Sequence, residues 1–215
     1  MLFRSMKDQV YDYISNEIAC GKLAADTEIS ESALCTALNV SRTPVREALM
    51  QLAHNGYIEH IPRRGFFTRS LTQQKAANLL QIIGILEGAA AALAIESGKL
   101  DFHALRSMIA DMSQSIQHRD LAAFHAQQAT FHATINKASG NDEMVRMIEM
   151  NKKYFMHDQY ISSQPNDETL TLATQMNAGH EKIVNLLEAK RRDELVSYLI
   201  DEHWNPRNAK YHAYN

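Results

Sequence analysis

The stretch NVSRTPVREALMQLAHNG, residues 39–56, holds two arginines and a threonine where they could act on a polyanion. Read as a helix, it places Val45, Ala48, Leu49 and Leu52 at i, i+3, i+4 and i+7, one apolar stripe. Arg42, Thr43 and Arg46 lie off that stripe, near the N-terminal end. A guanidinium can bond a guanine edge with two parallel donors, and a threonine offers both a hydroxyl and a methyl to a base. A helix that buries its apolar stripe and turns these groups outward suits the major groove of a duplex. Arg63 and Arg64 stand in PRRG, residues 62–65, where a tight turn would present them together to a phosphate backbone or an adjacent minor groove.

The flanking segments would position these groups. Val10, Ile14 and Ile18 recur at helical spacing, and Gly21 is the expected stop of that first helix. Ser30 is suited to cap a second helix, with Ala33, Leu34, Ala37 and Leu38 on its inner face. Asn39 and Val40 then separate it from Ser41; Ser41 or Thr43 can cap the arginine-bearing helix. Pro44 falls in its first turn and Gly56 ends it. YIEHI (57–61), the turn at 62–65 and FFTRS (66–70) read as a β-hairpin. Helix, helix, tight turn, helix and hairpin make a winged helix-turn-helix. Residues 40–70 carry five arginines against two glutamates in a chain of formal net charge −3, so positive charge is local to this segment.

Beyond residue 71 the periodicity is helical throughout. Segments 72–97, 101–118, 120–138, 142–160, 168–189 and 192–209 are expected helices, with breaks at Gly98, 139–141 and 161–167. The fold class is therefore mainly α: a winged helix-turn-helix over 1–71, then an all-α bundle of about six helices over 72–215. At 45% hydrophobic and 22% charged residues, the chain can bury a sizeable core. The two cysteines, Cys20 and Cys35, form no CxxC pair and read as small buried apolar residues. The longest apolar run, 79–95, is interrupted by Gln81 and Glu87 and is short for a membrane span. The N-terminus shows no leader pattern, so a cytoplasmic protein without a membrane role is expected.

The motif VSRTPVREALMQLAHNGYIEHIPRRGFF (40–67) resembles the signature of the GntR superfamily of bacterial transcription regulators. ILEGAAAALA (85–94), FHATINKASGN (131–141) and GHEKIVNLLEAKRRDELVSYLIDEHW (179–204) resemble the all-helical FCD-type domain of its FadR branch. Together the two resemblances span almost the whole chain. They imply a homodimer that binds an inverted-repeat double-stranded DNA operator and responds to a small-molecule effector, an organic acid or related metabolite, in the helical domain. They place Arg42, Thr43 and Arg46 in the groove and Arg63, Arg64 and Gly65 at the wing. Ser30 or Ser41 would donate to a phosphate, and Glu31 would serve local structure.

The same resemblance puts His132, His180 and His203 at metal-ligand positions, for Zn, Ni, Mn or a similar divalent ion. The family's usual aspartate, four residues before the first of these, is Gln128 here. Gln128 and His132 share a helix face flanked by Phe124, Phe131 and Ile135, so that face should look into the bundle. A glutamine offers a neutral carbonyl instead of an anion and leaves a bound cation less compensated. The same four residues could instead bond an organic effector directly, or the histidines could be satisfied core residues. The family's frequent arginine before the ILEG-like motif is Ile83; Lys152, Lys153, Tyr154 and Arg146 are its possible replacements. His118, His125 and His157 read as surface or packing residues, with His125 on the helical face nearest His132.

Two rival functions follow from these departures. One is a constitutive DNA-binding regulator with a degenerate sensor pocket. The other is a metal-dependent helical-bundle enzyme. Against the enzyme, there is no HExxH, no Glu-x-x-His repeat, and no carboxylate paired with these histidines on the same helix.

Overall fold

The computed structural model describes residues 5–19, 22–155 and 166–211. Cys20, the helix stop at Gly21, His157, and the expected helical end at 156–160 with most of the break after it lie outside the described residues. The chain divides into two compact units, one reaching Thr72 and the other beginning at Gln73.

The first unit runs α1 (Met6–Ala19), β1 (Glu28–Ile29), α2 (Glu31–Leu38), α3 (Arg42–His54), β2 (Ile58–Ile61) and β3 (Gly65–Thr68). Ser30 caps α2 by accepting from the Ala33 N–H at 3.2 Å. Asn39 closes that helix at φ 52, a left-handed conformation that asparagine tolerates better than most side chains. This sharp reversal leaves room for only two more residues before α3 begins. The expected stripe of α3 is fully buried: Val45, Ala48, Leu49 and Leu52 pack with Val10 and Ile14 of α1 and with Ile58 and Phe66 of the hairpin. Removing one such leucine side chain would cost about 2–5 kcal/mol. β2 and β3 pair antiparallel from Ile58↔Thr68 to Ile61↔Gly65. A third strand, β1, adds to the far side of β3 and gives the order β1-β3-β2. Two residues are too few for any periodicity, so this strand leaves no signature in the sequence. The Thr68 hydroxyl helps anchor its approach, accepting from the Thr27 N–H at 2.9 Å.

The second unit contains α4 (Gln73–Ser97), α5 (Phe102–Gln117), α6 (Leu121–Ala138), α7 (Asp142–Lys152), α8 (Asp167–Glu188) and α9 (Arg192–Tyr198). Asp101, Asp120, Asn141 and Asn166 each cap the helix that follows. Around α4 pack α6, α7, α9 and the C-terminal turns. At 25 residues and high hydropathy α4 is long and apolar enough to cross a bilayer. Burial among its neighbours, not length, argues against such a role.

The expected helix over 192–209 is not one helix. After α9 the chain widens into a π-helical turn, Leu199–His203, closed by the Trp204 N–H donating to the Leu199 carbonyl at 3.0 Å. A 3-10 turn, Pro206–Tyr211, follows. Pro206 has no N–H to continue a ladder, which favours the change of geometry. The wide turn lies against Gly84 of α4. A Cβ there would approach the Trp204 Cβ to 3.1 Å and the Ile200 Cα to 3.3 Å. The glycine therefore sets how close residues 199–204 come to α4.

Candidate nucleic-acid interface and metal centre

In the first unit Arg42, Thr43 and Arg46 are exposed on α3, opposite its buried stripe. They share a shallow groove with Lys7 and Glu31. Glu31 lies 3.6 Å from the Arg46 guanidinium, a pair whose arginine is 64% exposed and contributes little to stability. The contact orients Arg46 and leaves it accessible. Ser30 spends its hydroxyl on the α2 cap, whereas Ser41, the N-cap of α3, makes no side-chain cap hydrogen bond. At the hairpin tip Arg63 adopts φ 65 and Gly65 φ 104, so the turn needs left-handed backbone at both. Arg63 and Arg64 are exposed there, with the Arg64 guanidinium 5.3 Å from the centre of the Phe67 ring. Lys7, on α1, had no motif to mark it in the sequence.

In the second unit three imidazoles converge. His132 comes from α6, His180 from α8 and His203 from the π turn. One ring nitrogen of each lies within 4.8 Å of the others. The Nε2 atoms of His132 and His203 are 3.2 Å apart. That matches the ~3.0–3.4 Å between two nitrogens that each sit ~2.1 Å from one ion. His180 is fully buried and its Nε2 has no hydrogen-bond partner. An orphaned buried nitrogen costs free energy unless something binds it. Gly179 makes space for this packing: a Cβ would come within 2.8 Å of the Tyr198 hydroxyl and 3.4 Å of His203 Nδ1.

Behind the triad lies Glu87 of α4, only 2% exposed. One carboxylate oxygen accepts from His132 Nδ1 at 2.9 Å and from Trp204 Nε1 at 2.7 Å. The other accepts from Asn136 Nδ2 at 2.9 Å and pairs with the Lys152 ammonium. Burial works to raise this carboxyl, but the partners outweigh it and hold Glu87 well below the ordinary carboxylate range. Burial keeps the three imidazoles neutral, and for two of them the neighbouring rings add to it; His203 is pushed down to about 3 and His180 well below its usual value. His132 is lowered by burial despite its carboxylate partner. A neutral His132 that donates Nδ1–H to Glu87 presents a bare Nε2 to the other rings, the arrangement that orients histidine ligands in metal sites. Four donors on one buried carboxylate were invisible in sequence order. The available signal was a single acid inside the apolar run ILEGAAAALA.

His132 and His203 line a cavity of ≈ 300 Å³ together with Gln128, Lys152, Tyr198, Glu202 and His125. Gln128 thus stands beside His132 as its spacing required, 9% exposed. Of the residues weighed as replacements for the missing arginine, Lys152 lines the cavity, while Arg146 pairs with Glu143 on the surface. Ile83 is buried in the core. His125 lines the cavity and is not merely a packing residue; His118 is an exposed helix cap.

Residues 6–68 match the family described as bacterial regulatory proteins, gntR family, and residues 78–205 match the FCD domain. The chain belongs to the GntR family and carries an FCD domain. Among its relatives, the probable D-xylose utilization operon transcriptional repressor of Paenarthrobacter nicotinovorans is 30% identical over 142 residues, 66% of this chain. That match spans 63% of the relative's own length. The gluconate operon transcriptional repressor of Bacillus subtilis is 28% identical over 85% of this chain and 75% of its own. The solved structure of E. coli McbR/YncC has the same fold, with TM-score 0.70, 21% identity and 97% of each chain covered. The two relatives are both named as transcriptional repressors.

Proposed function

We propose that this GntR-family protein is a ligand-responsive transcriptional regulator. As a homodimer it binds an inverted-repeat operator, with Arg42, Thr43 and Arg46 reading base edges and Arg63, Arg64 and Gly65 meeting the backbone. Ser41, free of a cap bond, is better placed than Ser30 to donate to a phosphate. Exposed Ile82 and Ile85 on α4 and Met147 and Met150 on the adjoining α7 support a partner copy at that face.

The effector site is the cavity over the histidine triad. The observation that carries this reading is the convergence of three neutral imidazoles, His180 with an unpartnered buried Nε2 and His132 and His203 lining a 300 Å³ cavity. His132, His180 and His203 would hold a divalent transition metal, Zn, Ni or Mn, which when bound supplies a positive centre for a carboxylate. Lys152 is the one lysine or arginine among the described cavity-lining residues and adds a cation at the wall. Gln128 contributes a neutral amide, so a small organic acid would supply the carboxylate that no residue at that position provides.

The test is selection of bound duplexes from a random library by the full chain, with and without Zn²⁺. Enrichment of one inverted-repeat sequence, with affinity altered by the metal or by added carboxylates, is expected. Enrichment unaffected by either would leave a constitutive regulator, and no enriched sequence would overturn the DNA assignment.

A further inference from the structure

His180 can present a bare Nε2 to His132 and His203 only if its proton sits on Nδ1. The hydrogen bonds around it decide this. His180 Nδ1 lies 3.3 Å from Asn177 Oδ1, one turn earlier on α8. The other end of that amide lies 3.2 Å from the Ile109 carbonyl oxygen and 2.8 Å from Ser113 Oγ, both on α5. A carbonyl can only accept, so the group beside it must be the NH₂ of Asn177. The Ser113 hydroxyl lies 3.1 Å from that same carbonyl and donates to it, which leaves its oxygen free to accept from Asn177. The amide orientation is thus fixed from outside. Its Oδ1 must face His180 and must accept a hydrogen bond from Nδ1–H.

We propose that Asn177 is a positioning residue for the triad: held by Ile109 and Ser113, it locks His180 as the Nδ1–H tautomer and aims the bare Nε2 at His132 and His203. Asn177 is 6% exposed, so no water competes freely for this bond. The two histidines from regular helices are therefore set by different means, His132 by the Glu87 carboxylate on α4 and His180 by a neutral amide anchored to α5. The amide fixes direction without adding charge, so the ring stays a neutral ligand. Ser113 and Asn177 also border a small groove on the outer side of α5 and α8, which links the triad to that surface through three residues.

This inference rests on the reading of the triad as a metal site, and the experiment separates the two. Long-range ¹H–¹⁵N correlation spectra of metal-free full-length protein report which nitrogen of His180 is protonated. Zn²⁺ titration by calorimetry and the visible spectrum of the Co²⁺ form report coordination in the parent, N177A and N177D. The expected result is Nδ1–H for His180 in the parent. N177A should bind Zn²⁺ about 10–100-fold more weakly, the usual effect of losing such a partner, with an altered Co²⁺ spectrum. N177D keeps an acceptor for His180 Nδ1 but sets its second oxygen beside the Ile109 carbonyl, so it should recover only part of the affinity. A parent His180 protonated at Nε2, or N177A with parental affinity and spectrum, would overturn the proposal. An Nδ1–H tautomer in a protein that binds no Zn²⁺ would refute the metal reading and leave the tautomer assignment standing. The parent spectrum decides the tautomer even where N177A fails to fold.

Discussion

Replacing Glu87 with glutamine keeps the shape of the side chain and removes one charge from the interior. The carboxylate accepts from His132, Trp204 and Asn136 and pairs with Lys152. An amide has one oxygen and one NH₂ where four donors converge, so two donors must lose their acceptor. Lys152, with 23% of its side chain exposed, is left without its anion. Breaking a buried pair from one side typically costs ~3–5 kcal/mol, and partial access of Lys152 to water puts the expectation at the lower end. Trp204 is the only tryptophan and donates to Glu87 itself, so its fluorescence follows unfolding of the helical unit. In urea with EDTA, E87Q should lose ~3 kcal/mol, and E87Q/K152M should recover part of that loss because no cation is then stranded. Zn²⁺ affinity of E87Q should also fall, since His132 would lose the acceptor that fixes its ring. A loss in E87Q under ~1 kcal/mol, or a double variant as unstable as the sum of both singles, would refute the claim that Glu87 organises this site.

Three further outcomes are expected. R46A should weaken binding to the selected operator by ~1–3 kcal/mol while leaving thermal stability nearly unchanged, because the Arg46–Glu31 pair is exposed; specific binding at parental strength by fluorescence anisotropy would remove Arg46 from the groove. R64A should weaken binding to all duplexes alike and reduce the slope of log affinity against log salt by ~0.9; an unchanged slope with altered sequence preference would assign it to base readout. Metal-free protein should lose stability on acidification: His203 stays neutral down to about 3 when folded, whereas the unfolded imidazole gains a proton near pH ~6.5. The unfolded state then binds more protons, and His203 alone contributes a loss of ~1.4 kcal/mol between pH ~7.5 and ~5.5. H203Q should show a shallower pH dependence of the urea midpoint, and an equal or steeper one would contradict this.

The elements with strong periodicity were legible in the sequence. The stripe of α3, the cap at Ser30, the start of α3 after Ser41, and the hairpin with its arginine tip all follow from spacing and turn chemistry that act locally. Two features did not. β1 is two residues long and exists only because β3 offers a free edge. The widened turn at Leu199–His203 depends on close approach to Gly84, a contact across more than a hundred residues of chain. The site divides in the same way. Gln128 and His132 are one helical turn apart, and their shared face could be read directly. Glu87 and Lys152 reach the triad from two other helices, and no local pattern ties them to it, whereas Asn177 precedes His180 by three residues on one helix and only its anchors on α5 lie beyond local reading. Glu87 still left a trace, as a lone acid in an apolar helix must find partners or cost several kcal/mol.

The most direct measurement is the metal content of full-length protein purified without a histidine tag or added metal, alongside its melting temperature before and after EDTA. The account predicts close to one equivalent of a single transition metal per chain and a melting temperature that EDTA lowers, with both effects lost in H180A. Protein free of metal, with a melting temperature indifferent to EDTA and to added Zn²⁺, would contradict it.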